Sequence, residues 1–295
     1  MLKNLLRDRL DVLIRIAESL REALFPTRCL VCGSFFHPVD HKGYPSCGKD
    51  FQGGGVFSRD RTFIFNMLME SFLCPACSKG FSPVESPLCL KCGAMFRSRE
   101  GDDHLCGPCL SSTKRYRKAR AVGIYDKTLR PLIHCFKYKE KIQLANPLEK
   151  LLFALFINFY YKEGNDGEEG MDLVVPVPLH VRRFRKRGFN QAFFLIRNWV
   201  GMAQALDMNL PFFEIGRDIL VRNKWTEPQV GLDRDKRRLN MKDAFSLSDS
   251  ERVKGKRILL VDDVYTTGAT VDECAKILMG GGAKYVDVLT LARTM

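Results

Sequence analysis

Residues 257–270 read Arg-Ile-Leu-Leu-Val-Asp-Asp-Val-Tyr-Thr-Thr-Gly-Ala-Thr, and this stretch decides the fold. Ile258 to Val261 is a short aliphatic run of the kind found in a strand buried on both faces, and Gly268 to Met279 continues with a helical pattern. Asp262 and Asp263 stand where that strand is expected to end, and Thr266, Thr267, Gly268, Ala269 and Thr270 form the turn into the helix. In an open α/β sheet, the loops beyond the carboxyl ends of the strands face the ligand crevice.

The residue types say what such a loop accepts. Threonine hydroxyls, a glycine that lets the backbone come close, and the free N–H groups of a helix start make a nest for phosphate. Asp262 and Asp263 would repel a phosphate in direct contact. They suit the hydroxyls of a sugar one ribose length away, met directly or through Mg²⁺. Phosphate, sugar hydroxyls and a divalent cation together describe a phosphorylated ribose. The plainer alternative is an acidic helix cap followed by a threonine turn.

Val261 to Thr270 resembles the 5-phosphoribosyl 1-pyrophosphate (PRPP) binding motif of the type I phosphoribosyltransferases. The resemblance implies that Asp262 and Asp263, the catalytic candidates, contact the ribose hydroxyls. It implies as well that Thr266, Thr267, Gly268, Ala269 and Thr270 hold the 5′-phosphate, with Mg²⁺ accompanying PRPP.

Cysteine spacing is the second strong signal. Of 11 cysteines, eight form the C-x-x-C pairs Cys29/Cys32, Cys74/Cys77, Cys89/Cys92 and Cys106/Cys109. Two thiolates on one knuckle and two on another complete a tetrahedral Zn²⁺ site. The first and third pairs share the form Cys-Leu-x-Cys-Gly, so the pattern reads as two ribbons, Cys29/Cys32/Cys74/Cys77 and Cys89/Cys92/Cys106/Cys109. Disulfides are the alternative, but a chain with no export signal and a nucleotide-sugar site belongs in a reducing cytoplasm. Ser34 to Leu73 is a long, glycine-containing insertion between two knuckles, read as a loop tip. Its His37, His41 and Cys47 are not assigned as ligands.

The N-terminus is not a signal peptide, because charges from Lys3 to Glu22 interrupt every apolar run. Leucines at helical spacing from Leu2 to Leu24 make it an amphipathic helix. Packing on its own protein is the commonest fate of such a helix, and peripheral attachment to the cytoplasmic membrane is another. Leu151 to Tyr161 is too short to span a bilayer, so no transmembrane segment is expected. With 45% hydrophobic and 27% charged residues the chain is globular in composition, and its net charge of +13 favours anionic partners. Two Zn²⁺ on eight thiolates would leave roughly +9.

After the basic linker Thr113 to Arg120, strands and helices alternate. Strands are expected at 121–125, 173–177, 219–222, 258–261 and 286–291, and helices at 128–138, 144–161, 191–206 and 268–279. This predicts a parallel α/β sheet covered on both faces. The linker is a solvated charge run or, with Tyr116 among its cations, a contact for single-stranded DNA. Val174 to Leu179 ends in prolines and is followed by Arg182, Arg183, Arg185, Lys186 and Arg187. Backbone donors beside such cations suit pyrophosphate. In phosphoribosyltransferases a loop at this place grips pyrophosphate, which makes Val177, Pro178, Leu179 and Arg187 candidates.

The four knuckles, Leu132 to Tyr138, Arg187 to Gln191, and Thr226 to Phe245 with Gln229, Arg238, Asn240 and Phe245 resemble the ComF family of competence-associated proteins. The layout implied is an amphipathic helix at 1–25, a double zinc ribbon at 26–112 with an insertion at 34–73, a linker at 113–120 and a phosphoribosyltransferase-like domain at 121–295. The family implies a role in DNA uptake during natural transformation or in DNA utilisation, alongside other DNA-uptake proteins. Three readings stay open: a transferase acting on PRPP and an unknown acceptor, a PRPP or nucleotide sensor, and a zinc-dependent single-strand-binding adaptor. Since the chain ends close after its last strand, the ribbons are expected to supply the lid over the site.

Overall fold

The computed structural model describes residues 26–38, 60–138, 141–161, 170–206, 212–225 and 243–295. The expected helix at 1–25, the 39–59 part of the insertion with His41 and Cys47, and residues 226–242 lie outside them.

The cysteine knuckles sit on short elements. These are β1 (Thr27–Arg28), β2 (Phe35–Phe36), α1 (Arg61–Met69), α2 (Pro75–Lys79) and α3 (Gly107–Ser111). The α/β part opens with β3 (Ala119–Ile124), α4 (Leu129–Tyr138), α5 (Ala145–Tyr160) and β4 (Leu173–Pro176). Three short helices follow, α6 (Val181–Arg187), α7 (Gln191–Phe194) and α8 (Trp199–Ala205), and then β5 (Glu214–Ile215), β6 (Leu220–Arg222) and β7 (Phe245–Leu247). The chain closes with β8 (Arg257–Tyr265), α9 (Ala269–Gly280) and β9 (Tyr285–Arg293). No helix among the described residues is long and apolar enough to cross a membrane.

Five parallel strands form one sheet in the order β3-β9-β8-β4-β5. The period of two along each strand divides its side chains between two cores. Leu259, Val261, Val174, Leu289 and Leu291 pack on one face with Phe153, Phe156 and Trp199. Ile258, Leu260, Val175, Val286 and Val288 pack on the other with Cys274, Ala275 and Leu278 of α9. A strand buried on both faces must be apolar at every position, which is why the run at 258 shows no alternation.

Two expected elements are corrected. The strand at 219–222 exists but lies outside the parallel sheet, pairing antiparallel with β7. Leu220 and Arg222 are buried while Val221 between them is exposed. That one-sided pattern belongs to a ribbon with a solvent face. The sheet edge is instead β5, with Glu214 and Ile215 opposite Leu173 and Val174. The helix expected at 191–206 is broken between α7 and α8. There the buried carboxylate of Glu149 accepts the Asn198 backbone N–H at 2.6 Å and its side-chain amide at 2.8 Å. This partner from α5 offers the chain an alternative to continuing the helix.

The linker is built into the sheet. The Arg117 N–H donates to the Val286 carbonyl at 2.7 Å, and the Val288 N–H donates to that of Lys118 at 2.9 Å. Arg117 grips the fully buried Asp287 with two N–H groups, at 3.0 and 2.7 Å, and the Tyr160 hydroxyl donates to the same carboxylate at 2.9 Å. Tyr116, expected to be available for stacking, is only 1% exposed. Removing the Asp287 carboxylate would take a charge-assisted partner from Arg117 and a hydrogen bond from Tyr160. Asp287→Ala is therefore expected to lower unfolding free energy by about 2–4 kcal/mol in denaturant titration, and Tyr160→Phe by about 1 kcal/mol.

Candidate functional site

Strand β8 runs through the acid pair to Tyr265, so Asp262 and Asp263 are fixed by sheet pairing, with Asp262 opposite Thr290 on β9. Asp263 is 3% exposed. The Lys137 ammonium in the last turn of α4 meets its Oδ2 at 2.5 Å. Its backbone N–H donates to Asp262 Oδ1 at 2.8 Å. Burial pushes the Asp262 carboxyl up to about 6, against the pull of Lys137, Arg222 and Arg187. Burial likewise brings the Lys137 ammonium down to about 8; the Asp262 charge works against that shift, and Arg187 and Arg183 add to it. Each group's field therefore reaches the others in a medium where water screens little.

Past Tyr265 the chain turns at Gly268, whose φ of 75° is the left-handed conformation that glycine adopts without strain. A Cβ there would lie 2.2 Å from the Tyr265 hydroxyl, so the ring closes the space behind the loop. That hydroxyl is 2.7 Å from the hydroxyl of Tyr116, and both are buried. Thr266, Thr267, Ala269 and Thr270 are half-buried along the same turn, and the Ala269 N–H donates to Thr267 Oγ1 at 3.4 Å. The start of α9 is held from the linker, because Asp272 accepts the Arg115 backbone N–H at 2.8 Å.

The loop after β4 lies beside the acid pair, because β4 is the neighbour of β8 and the Val177 N–H donates to the Val261 carbonyl at 2.8 Å. Val177 and Pro178 are buried and Leu179 is half-buried. Asn190 caps α7 and donates its amide to the Val177 carbonyl at 3.1 Å, tying the loop's two ends. Arg187 is held by Gln191 and acts on Asp262. The structure thus brings Val177, Pro178, Leu179 and Arg187 to the carboxyl end of β4, beside the end of β8 where Asp262 and Asp263 stand.

Sequence reasoning assigned no role to Lys137, Asn190 or Arg222, and placed Arg183 only among the cations beside the pyrophosphate loop. Lys137 follows Leu129, Leu132, Ile133 and Phe136, the buried face of α4, and only its position at the C-terminal end of an apolar stripe hinted that it points inward. Arg222 closes β6 as a buried guanidinium over the Phe245 ring, 5.3 Å from its centre and inside the reach of about 6 Å for such contacts.

The eight paired cysteines gather into the two expected sets, Cys29/Cys32/Cys74/Cys77 and Cys89/Cys92/Cys106/Cys109, with ligand atoms within 4.8 Å of one another in each. The Cys32 and Cys74 sulfurs are 3.8 Å apart, and those of Cys92 and Cys106 are 3.7 Å apart. A tetrahedron with Zn–S bonds of about 2.3 Å has edges of about 3.8 Å, so the donors fit Zn²⁺ and are too far apart for disulfides. Gly33 and Gly93, with φ of 75° and 68°, close the first knuckle of each set. Burial opposes ionisation of Cys89, but the N–H groups of Cys106, Cys92 and Lys91 outweigh it and bring the thiol down to about 6. Burial and the neighbouring thiols push Cys77 and Cys109 well up. Four crowded thiols cannot all ionise without a cation between them. Cys135 and Cys274 are buried apart from these sets.

For Mg²⁺ the fit is poorer. Among the described residues, groups of three or more ligating side chains close enough for one ion are the two cysteine sets. At the acid pair, Lys137 already holds the Asp263 oxygen.

The family model for the phosphoribosyl transferase domain matches residues 200–295. DNA utilization protein YhgH of Escherichia coli (strain K12) is 31% identical over 227 residues, which cover 76% of this chain and 91% of that protein. Competence protein F of Haemophilus influenzae is 33% identical over 233 residues, 77% of this chain and 92% of that protein. Competence protein ComFC of Bacillus subtilis (strain 168) is 26% identical over 250 residues, 81% of this chain and 92% of that protein.

The two thiol sets make a direct check on the metal. Elemental analysis of the purified protein is expected to find about two zinc ions per chain, and Cys92→Ser or Cys32→Ser about one. Calcium or magnesium in place of zinc would contradict the thiolate assignment.

Proposed function

The chain belongs to the ComF family of competence and DNA-utilization proteins, and from that premise we propose that it binds PRPP in the crevice at the carboxyl ends of β8 and β4 and transfers its phosphoribosyl group. Asp262 and Asp263 take the ribose hydroxyls, and Thr266 to Thr270 with the first N–H groups of α9 take the 5′-phosphate. Val177, Pro178, Leu179 and Arg187 take the pyrophosphate. A nucleophile then attacks C1 of the ribose while pyrophosphate leaves, its growing charge stabilised by the surrounding cations. Mg²⁺ enters this scheme as a companion of the pyrophosphate, since the acid pair is not a resident cage for it.

The observation that carries the reading is the adjacency of β8 and β4. It supports the reading because a carboxylate pair, a left-handed glycine turn at a helix start and a cation-flanked loop follow from neighbouring strands. Calorimetric titration of PRPP into the zinc-loaded protein should give saturable binding. The double variant Asp262→Asn/Asp263→Asn should weaken it at least about tenfold, the loss of a charge-assisted hydrogen bond. No heat and no thermal shift with folded protein would sink the proposal. Release of pyrophosphate on adding candidate acceptors separates a transferase from a sensor.

A second property, handling of single-stranded DNA, is favoured by α6 and Trp225. None of the α6 residues, Arg182, Arg183, Arg185, Lys186 and Arg187 included, is buried, and no acidic residue occurs from 173 to 206. Trp225 is 38% exposed, with the Arg182 and Arg183 guanidinium carbons 5.6 and 5.5 Å from its ring centre. Cations interleaved with an aromatic face are what a flexible polyanion with stackable bases needs. Anisotropy with labelled single strands should show affinity falling with salt, and Arg182→Ala/Arg183→Ala should flatten that slope by about 1.4, roughly 0.7 per lost phosphate contact. Trp225→Ala should cost about 1–3 kcal/mol of binding with the slope unchanged. Salt-independent binding would contradict this mode.

A further inference from the structure

Positive charge gathers around the acid pair. Lys137, Arg187 and Arg222 act on Asp262, Arg183 acts in turn on those three cations, and Lys137 pairs with Asp263. The direct contact is the 2.5 Å ion pair between Lys137 Nζ and Asp263 Oδ2, with both side chains largely withdrawn from water. Two adjacent carboxylates in such a place would repel an arriving pyrophosphate unless something screened them. In many phosphate sites the screen is a divalent cation. Here an ammonium already occupies that position, and it comes from α4, an element outside the phosphate and pyrophosphate loops.

Resting on the PRPP reading of this crevice, we infer that Lys137 is the built-in counter-ion of the acid pair, a substrate-binding residue that passes from Asp263 to the pyrophosphate as PRPP arrives. In the free protein its ammonium neutralises Asp263. In the complex the ribose hydroxyls donate to the carboxylates, and the ammonium swings to the pyrophosphate oxygens. The exchange is of ion pairs only; no covalent bond or proton is moved. A lysine suits it, since a compact charge on a four-carbon stem can change partner where a forked guanidinium is held by its geometry. The consequence is a site whose affinity depends little on Mg²⁺.

The test is calorimetry of sodium PRPP, and separately of inorganic pyrophosphate, with the zinc-loaded full chain in buffer with and without Mg²⁺. The wild-type protein is expected to bind PRPP without Mg²⁺ within about fivefold of its affinity with it. Lys137→Met is expected to lose at least tenfold without Mg²⁺ and to recover most of that when Mg²⁺ is added, because an ion can take the vacated place at Asp263. Lys137→Arg should keep part of the Mg²⁺-independent binding, and it serves together with the wild-type arms if Lys137→Met does not fold. Strict Mg²⁺ dependence of the wild type, or wild-type affinity of Lys137→Met without Mg²⁺, would overturn the inference while leaving the PRPP site standing. If the wild type binds PRPP under neither condition, the site reading falls and this inference with it.

Discussion

A carboxylate withdrawn from water must be met by positive charge or by several hydrogen bonds, and this requirement recurs at three places in the fold. Asp263 is met by Lys137, which ties α4 to the central strand. Asp287 is met by Arg117 and Tyr160, which tie the linker and α5 to β9. Glu149 is met by Asn198, which ties α5 to the break between α7 and α8. Apolar burial supplies the larger share of the folding energy, but it has no direction. These polar ties fix α4 and α5 over the sheet. The crevice inherits its cations from the same rule.

The ribbons follow from the fold in a similar way. Cys29 and Cys74 of the first set pack into the core on the α5 face of the sheet. Thr128, just before α4, donates its hydroxyl to the Cys77 carbonyl at 3.2 Å. Cys89 and Cys92 of the second set pack into the core on the α9 face, with Tyr116, Tyr265 and Val271. Arg293 reaches the Cys92 carbonyl from the end of β9, and the Ala119 N–H donates to the Lys91 carbonyl at 2.8 Å. A metal-clamped knuckle is a small rigid body with little core of its own. Here each one borrows a face of the sheet, and the sheet gains a cover beyond its helices.

What could be read in the sequence was what depends on local order. The strand at 258, the helix after it and the paired cysteines are contiguous signals, and Gly268 falls at the turn where a positive φ is needed. The sets Cys29/Cys32/Cys74/Cys77 and Cys89/Cys92/Cys106/Cys109 followed from spacing and a repeated Cys-Leu-x-Cys-Gly form. The misses are contacts between residues far apart in the chain. Lys137 and Asp263 are brought together by the packing of α4 on β8, and Arg117 was read as one of a solvated charge run because Asp287 lies far downstream. Tyr116 was placed on the surface for the same reason, although its partner Tyr265 lies within the motif read first. The strand at β6 was recognised but put in the wrong sheet, since a run of three residues carries a burial pattern too short to name its neighbour.

The ribbons were expected to supply a lid, and the contacts they make argue for a different office. The second set stands with Tyr116 and Tyr265 behind Gly268. Any side chain at position 268 would collide with the Tyr265 ring, whose hydroxyl lies 2.7 Å from that of Tyr116. Arg115 fixes the first turn of α9 through Asp272. A lid would act on what may approach the loop. A support from behind acts on the loop's own freedom, so for the anion proposed to bind there less ordering entropy would remain to be lost. On this geometry the second thiol cluster and the loop proposed to take the phosphate are two ends of one unit, joined through two tyrosines.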